Sequence, residues 1–454
     1  MKRLIPTIIL SLAAATANAY DLLETYELAL DQDPVLKQAL AKRNANRQAK
    51  PLAISQFLPQ INAAAESTSI QPIILSNSEF TAGDVGVIKD HGYSLSAQQN
   101  LLNIGTWFSL WQANNIYNSA DAQYTACEQA LIIRVASAYF TVLDAEDNLE
   151  FAVAEKKAFG QQLEQTEEKF NVGLVAITDL NDFRARYDES VANEIEARNN
   201  VDDAKELLEE IINTYVAELQ PLKQNLPLES PDPSDLNEWV KFSQEHNPLL
   251  AAAQYAAEAQ KNNVGVQQSQ HLPSVNVSGT YGESRTGTVT SPGSDHESGW
   301  AVMFNAQMNI FSGGGITAQV RQAQYEYEDA KQVLEKTRRD TVANTRIAYR
   351  GVLTSIGRVE ALNQAVISAQ SSLQSNEAAY EVGTKTAVDV TDAISQLYGT
   401  KRSLAAARYD YILNLLQLKQ AAGTLSIYDV AYVNEWLAGN VSNKQLEQQM
   451  LQDK

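Results

Sequence analysis

The residues best placed to act on a ligand are four carboxylates in two matched clusters. Asp389 and Asp392 follow a Val382-Gly383 step in YEVGTKTAVDVTD, residues 380–392. Asp179 and Asp182 follow Val172-Gly173 in FNVGLVAITDLND, residues 170–182. Three-residue spacing at the start of a helical run puts both acids of a pair on one side of a helix. The bland reading is a solvated helix N-terminus, where acids are favourable by ~0.3–1 kcal/mol. The sharper one is a carboxylate-lined conduit that concentrates cations. No zinc motif, Gly-rich phosphate loop or nucleophile elbow accompanies them, and His91, His246, His271 and His296 show no ligand spacing. No constellation supports an enzyme, and no cofactor or metal is implied.

The elements that position these acids are long helices. All twelve prolines lie at or before Pro72, between Pro221 and Pro273, or at Pro292. A proline in a helix interior costs about 3 kcal/mol, so the proline-free stretches are where long helices fit. Helix is predicted from Gly105 to Lys169, returning from about Thr178 to Thr214. A second pair is predicted at about 316–379 and Thr386–Ala422. Leu131, Val135, Ala138, Val142, Ala145 and Leu149 hold heptad spacing, as do Ile394, Leu397, Leu404, Tyr411, Leu415 and Leu418, with Lys401 and Arg408 in the intervening seam positions. Such seams favour left-handed coiled packing.

Helix also reads from 20 to 50, with Asp33-Pro34 as cap and first-turn proline. Residues 60–70 and 93–102 lean to period two, with a polar connection between them. Residues 274–282 alternate, SRTGTVTSPGSDHESG (284–299) reads as a turn-rich loop, and 300–311 places Trp300, Val302, Phe304, Ala306, Met308 and Ile310 on one face. The chain is thus one unit written twice. The expected organisation is a leader (1–19), a first repeat (20–215, β-hairpin at about 60–102, helical hairpin turning at 170–178), a Pro-rich linker or equatorial segment (216–240), a second repeat (241–425, β-hairpin at about 274–311, helical hairpin turning at 380–386), and an equatorial segment with a polar tail (426–454).

MKRLIPTIILSLAAATANA has the basic start, short apolar core and small-residue end of a secretory signal cut after Ala19. No later apolar run reads as a helical membrane span, so membrane entry requires a closed β-barrel. The net charge of −20 argues against nucleic-acid binding. The lone Cys127 forms no intrachain disulfide and reads as a small buried hydrophobe rather than a reactive thiol. Four strands cannot close a barrel, since the smallest single-chain barrels have eight, and open edges do not survive in hydrocarbon. Membrane strands therefore demand oligomerisation: two chains give eight strands, three give twelve. The alternation at Trp300–Ile310 favours a shared barrel continued by a shared helical tube. A periplasmic coiled-coil scaffold without a pore stays open at this level.

FNVGLVAITD, Ala185-Arg186-Tyr187-Asp188, ARNN (197–200), AVISAQSSL (365–373) and VGTKTAVDVTDA resemble the TolC-type outer-membrane efflux channels, the outer membrane factor family. With the leader and the doubled plan, the resemblance covers nearly the whole mature chain. It implies an α+β membrane protein. Three chains would share a twelve-stranded β-barrel in outer-membrane lipid, four strands from each, continued by an α-helical coiled-coil tunnel across the periplasm. A belt formed by residues 216–240 and the segment after Ala422 would surround the tunnel. The implied function is an exit duct for multidrug efflux or type I protein secretion. Its partners would be a periplasmic adaptor (membrane fusion) protein and an inner-membrane efflux pump or ABC secretion transporter. Carried over, Asp389 and Asp392 match the acidic rings at the tunnel entrance. Gln162, Thr178, Asp179, Glu377, Tyr380 and Lys385 match the gate latch. Val172-Gly173-Leu174 and Val382-Gly383-Thr384 match the turns that receive the adaptor. Two departures stand out. Lys385 replaces an arginine of the family's best-known member, keeping the charge but losing the bidentate fork. Asp182 is absent from that relative.

Overall fold

The computed structural model describes residues 19–70, 88–288 and 291–438. The leader, apart from Ala19, the connection at 71–87 and the polar tail from 439 lie outside them. The elements in chain order are α1 (Leu22–Gln32), α2 (Pro34–Arg47), α3 (Ala49–Ser55), β1 (Gln60–Ile70), β2 (Ile88–Leu102), α4 (Ile104–Asn171), α5 (Ile177–Ile212), α6 (Leu236–His246), α7 (Pro248–Ser269), β3 (Ser274–Thr288), β4 (Ser291–Gln307), α8 (Gly315–Glu381), α9 (Ala387–Ala422) and α10 (Ile427–Asn434). The chain divides into two compact units, and each mixes segments from both halves of the sequence. One comprises 41–124 and 249–337; the other comprises the first 40 residues, 125–248 and the chain from 338 onward.

The first of these units carries a four-stranded antiparallel sheet in the order β1-β2-β3-β4. Its middle pair, β2 with β3, joins the two halves of the sequence. Register sorts the side chains cleanly. Ala63, Leu95, Tyr281 and Trp300 form one cross-strand row, and Ala97, Gly279 and Val302 another. Over these rows the face is apolar and open, with Trp300 78% and Phe304 73% exposed, and further along it carries Glu283, Arg285 and His296. The other face carries Asn62, Ser96 and Thr280 in one row and Glu66, Ser284 and Glu297 in another. Successive residues of a strand point to opposite faces, so this partition follows from period-two spacing. The segment 284–299 corrects the loop expectation: β3 runs on to Thr288 and β4 begins at Ser291. Ser284, Thr286, Ser298 and Gly299 are drawn into ladders because β3 gains a partner on each side. At the other end β4 stops at Gln307, so Met308 and Ile310 lie past the strand.

The second unit is helical. Asp33 caps α2 by accepting the Leu36 N–H at 2.7 Å, and Arg134 forks onto the same carboxylate at 3.1 and 2.7 Å. In α4, Leu131, Val135, Val142 and Ala145 of the heptad seam are buried while Ala138 and Leu149 are half-buried. Tyr139 and Phe140 are fully buried as well, so the face is wider than a two-position stripe. One 18-residue window of α4 is apolar enough by composition to cross a membrane, with mean hydropathy 1.3, but 56% of it is buried within the chain. Cys127 is half-buried, not buried. Around the helices, Leu222 bridges Leu437, Lys223 N–H donates to Trp436 O at 2.9 Å, and the Tyr432 hydroxyl donates to Glu229 at 2.8 Å. The 216–240 segment and the segment after Ala422 are thereby laced together.

Candidate functional site at the helical hairpin tips

Both hairpins turn by the same device. After α4, Gly173 N–H donates to Phe170 O and Leu174 N–H to Lys169 O, both at 2.9 Å. After α8, Gly383 N–H donates to Tyr380 O at 3.0 Å and Thr384 N–H to Ala379 O at 2.9 Å. These paired bonds satisfy the last carbonyls of each helix and require a left-handed residue. Gly173 and Gly383 both have φ of +77°. Nothing lies within 4 Å of a Cβ built on either, so backbone conformation rather than crowding selects glycine. Val172, Leu174 and Val382 are left exposed at the tips, as is Thr384.

Beyond the turns the two tips differ. α9 begins with a capping box. Thr386 Oγ1 accepts from Asp389 N–H at 3.3 Å, and Asp389 Oδ2 accepts from Thr386 N–H at 2.9 Å and from its hydroxyl at 2.7 Å. Lys385 Nζ donates to Asp389 Oδ1 at 2.9 Å. The lysine bond, with the Thr386 bonds, holds the Asp389 carboxyl far below the usual carboxylate range. By contrast, Ala176 at the N-cap of α5 offers no side-chain cap. Asp179 is half-buried in its first turn, while Thr178 and Asp182 are exposed. Among the described residues none of these three side chains makes a hydrogen bond or ion pair.

Polar bonds also cross from one hairpin to the other. Gln162 of α4 donates to Glu377 of α8 at 3.4 Å. Burial pushes the Glu377 carboxyl above its usual value, and the Gln162 bond opposes that. Arg186 of α5 donates to Asp392 of α9 at 3.3 Å. Tyr380 packs edge-on to Phe183, ring centres 5.9 Å apart, with the Lys169 ammonium 5.5 Å from its ring. Its buried hydroxyl sits beside Thr166, near the Asp179 charge, without a hydrogen bond of good geometry. Burial raises the phenol's pKa. Beneath these groups Phe159, Phe183, Leu373, Val390, Ile394 and Leu397 form an apolar cluster drawn from all four helices.

The structure therefore brings Gln162 and Glu377 together and sets Tyr380 beside Asp179. It pairs Lys385 with Asp389 inside a single turn and leaves Thr178 exposed. Arg186 was not among the expected site residues. Nothing local marks it, because its partner lies 206 residues away in sequence.

An open-faced four-stranded sheet carried by a chain of doubled helical hairpins is the fold of outer-membrane efflux channels. The fold superposes on the crystal structure of the outer membrane protein VceC from Vibrio cholerae with TM-score 0.76, covering 88% of this chain and 96% of that one at 19% identity. The sequence matches the family described as Outer membrane efflux protein over residues 25–214 and 239–424. It is 36% identical over 442 residues to the Outer membrane protein TolC of Vibrio cholerae, spanning 96% of this chain and 99% of the relative. It is 26% identical over 422 residues to the Alkaline protease secretion protein AprF of Pseudomonas aeruginosa, spanning 92% and 87%. The chain belongs to the outer membrane efflux protein family, and it is an outer-membrane protein.

Proposed function

We propose that the protein is the outer-membrane exit duct of efflux and type I secretion machines. Three copies share one twelve-stranded barrel and one helical tunnel. The observation that carries this reading is the sheet. It presents an apolar face across the rows that hold Leu95, Tyr281 and Trp300 and Ala97, Gly279 and Val302, while β1 and β4 each have one unpaired edge among the described residues. Unpaired backbone in hydrocarbon costs several kcal/mol per group, so the edges need partners from other chains. The relatives' names support both cargo classes, one an efflux family and one a protease secretion protein.

The hairpin tips are the gated entrance in this reading. Asp389 and Asp392, three copies of each, form its acidic rings. Gln162, Thr178, Asp179, Glu377, Tyr380 and Lys385 act as the latch, and the exposed Val172-Gly173-Leu174 and Val382-Gly383-Thr384 turns receive a periplasmic adaptor. An inner-membrane pump or ABC transporter supplies the energy, and the chain itself performs no bond chemistry. Reconstitution into planar bilayers tests the proposal: stepwise conductance is expected, and a protein that inserts without conducting would overturn it.

A further inference from the structure

The two acids at the start of α9 are neutralised in different ways. Asp389 is held from within its own turn by Lys385 and Thr386. Its pairing survives any movement of one hairpin against the other. Asp392 is exposed and is held from the opposite hairpin, by Arg186 Nη2 at 3.3 Å. The same guanidinium reaches Glu189, one turn further along α5, at 3.2 Å. Arg186 is therefore forked between a carboxylate on its own helix and one on α9.

Four other ion pairs of these helices lack that combination. Lys156–Glu194 and Arg184–Glu167 stay within the first hairpin, and Arg358–Asp410 stays within the second. Arg402–Glu155 does cross between hairpins, but Glu155 is buried and the pair lies further from the turns. A buried ion pair resists opening, because its separation strands a desolvated charge. An exposed one such as Arg186–Asp392 separates at small cost, so it can be made and broken in use.

We propose that Arg186 is a positioning and selectivity residue of the entrance. It tethers α5 to α9 when the tips are together, and it masks Asp392. Separating the two helices breaks the tether and bares the carboxylate in the same motion. Opening is thus coupled to a rise in cation attraction at the mouth. Three copies would act in concert, so small individual terms add up. This inference rests on the duct reading above.

The test is single-channel recording of the full-length protein in planar bilayers, with Mg2+ added on the tip side. Arg186→Gln removes tether and mask together. The ratio of open to closed dwell times is expected to rise about tenfold, equivalent to ~1.4 kcal/mol shared by three exposed pairs. The Mg2+ concentration for half-block should fall, because Asp392 is unmasked. Asp392→Asn also removes the tether but leaves no carboxylate, so opening should rise without tighter block. The charge swap Arg186→Asp with Asp392→Arg should restore wild-type dwell times. Arg184→Gln removes a neighbouring exposed charge that does not cross hairpins and should leave both readouts unchanged.

A wild-type protein that conducts while Arg186→Gln behaves identically overturns the inference. So does an Arg184→Gln effect equal to that of Arg186→Gln, which would reduce the result to general charge. A wild-type protein that inserts but never conducts instead overturns the duct reading.

Discussion

Phe183 is a fully buried side chain of the hairpin tips, and its truncation has a calculable outcome. It is fully buried, meets Tyr380 edge-on at 5.9 Å, and lies in the cluster with Val390, Ile394 and Leu397 of the opposite hairpin. Phe→Ala at a fully buried site costs about 3–5 kcal/mol, combining lost transfer energy with the cavity left behind. The loss falls on contacts between α5 and α9, so it should appear as local opening of the tips. In native-state hydrogen exchange, that cost corresponds to roughly two to almost four powers of ten in protection. Peptides covering 387–397 should show it, while strands 274–288 and 291–307 should not. Phe183→Leu keeps most of the volume and should cost less than about 1.5 kcal/mol, so protection falls by little more than tenfold. Unchanged exchange at 387–397 in Phe183→Ala would refute the packing argument. Equal losses in tips and sheet would refute the claim that the cluster acts locally.

Other perturbations have equally definite outcomes. Gly173→Ala and Gly383→Ala should each cost about 1–2 kcal/mol from left-handed strain alone. Gly423→Ala should cost clearly more in thermal melts, since φ is +78° and a Cβ there would collide with the His246 carbonyl oxygen; equal losses at all three would contradict this. Burial, then the neighbouring Asp147 charge, raises the Asp144 carboxyl above its ordinary 3.8, and its Oδ1 has no hydrogen-bond partner among the described residues. Because the folded value is the higher one, the stabilising contribution is full below 3.8 and is lost as pH rises through the raised value. Denaturation at about pH 4 and about pH 7 should therefore show a smaller loss for Asp144→Asn than for wild type, and an identical loss would sink the assignment. If the tips are the proposed entrance, Asp389→Ala with Asp392→Ala should relieve block by cations, and replacing Tyr380 and Lys385 should raise conductance. Bilayer recordings unchanged in both variants would place the entrance elsewhere.

Much of the fold was legible because its devices are local. Gly173 and Gly383 mark helix ends that only a left-handed residue can make, and Thr386 with Asp389 spells a capping box. Period-two spacing at Tyr93, Leu95 and Ala97, and at Trp300, Val302 and Phe304, announced a sheet with one apolar face. Illegible features depend on partners remote in sequence. Ser284 to Gly299 carries turn-forming residues, yet cross-strand pairing overrides their propensity. In α9 the heptad positions Leu404 and Leu415 are half-buried, whereas Ala407, Ile412 and Leu416 are buried, because its contacts involve several helices rather than one. The Arg186–Asp392 pair is set by how α5 meets α9, which no spacing within either helix encodes. Lys385 shows the converse case: its partner Asp389 is four residues away, a distance the helix start brings together by itself.

We propose that three chains complete one barrel, because one chain leaves a sheet whose two outer edges are unpaired among the described residues. Native mass measurement of the protein extracted from outer membranes tests this directly. A particle of three chains is expected. A stable particle of one chain, with its sheet edges unpaired, would contradict it.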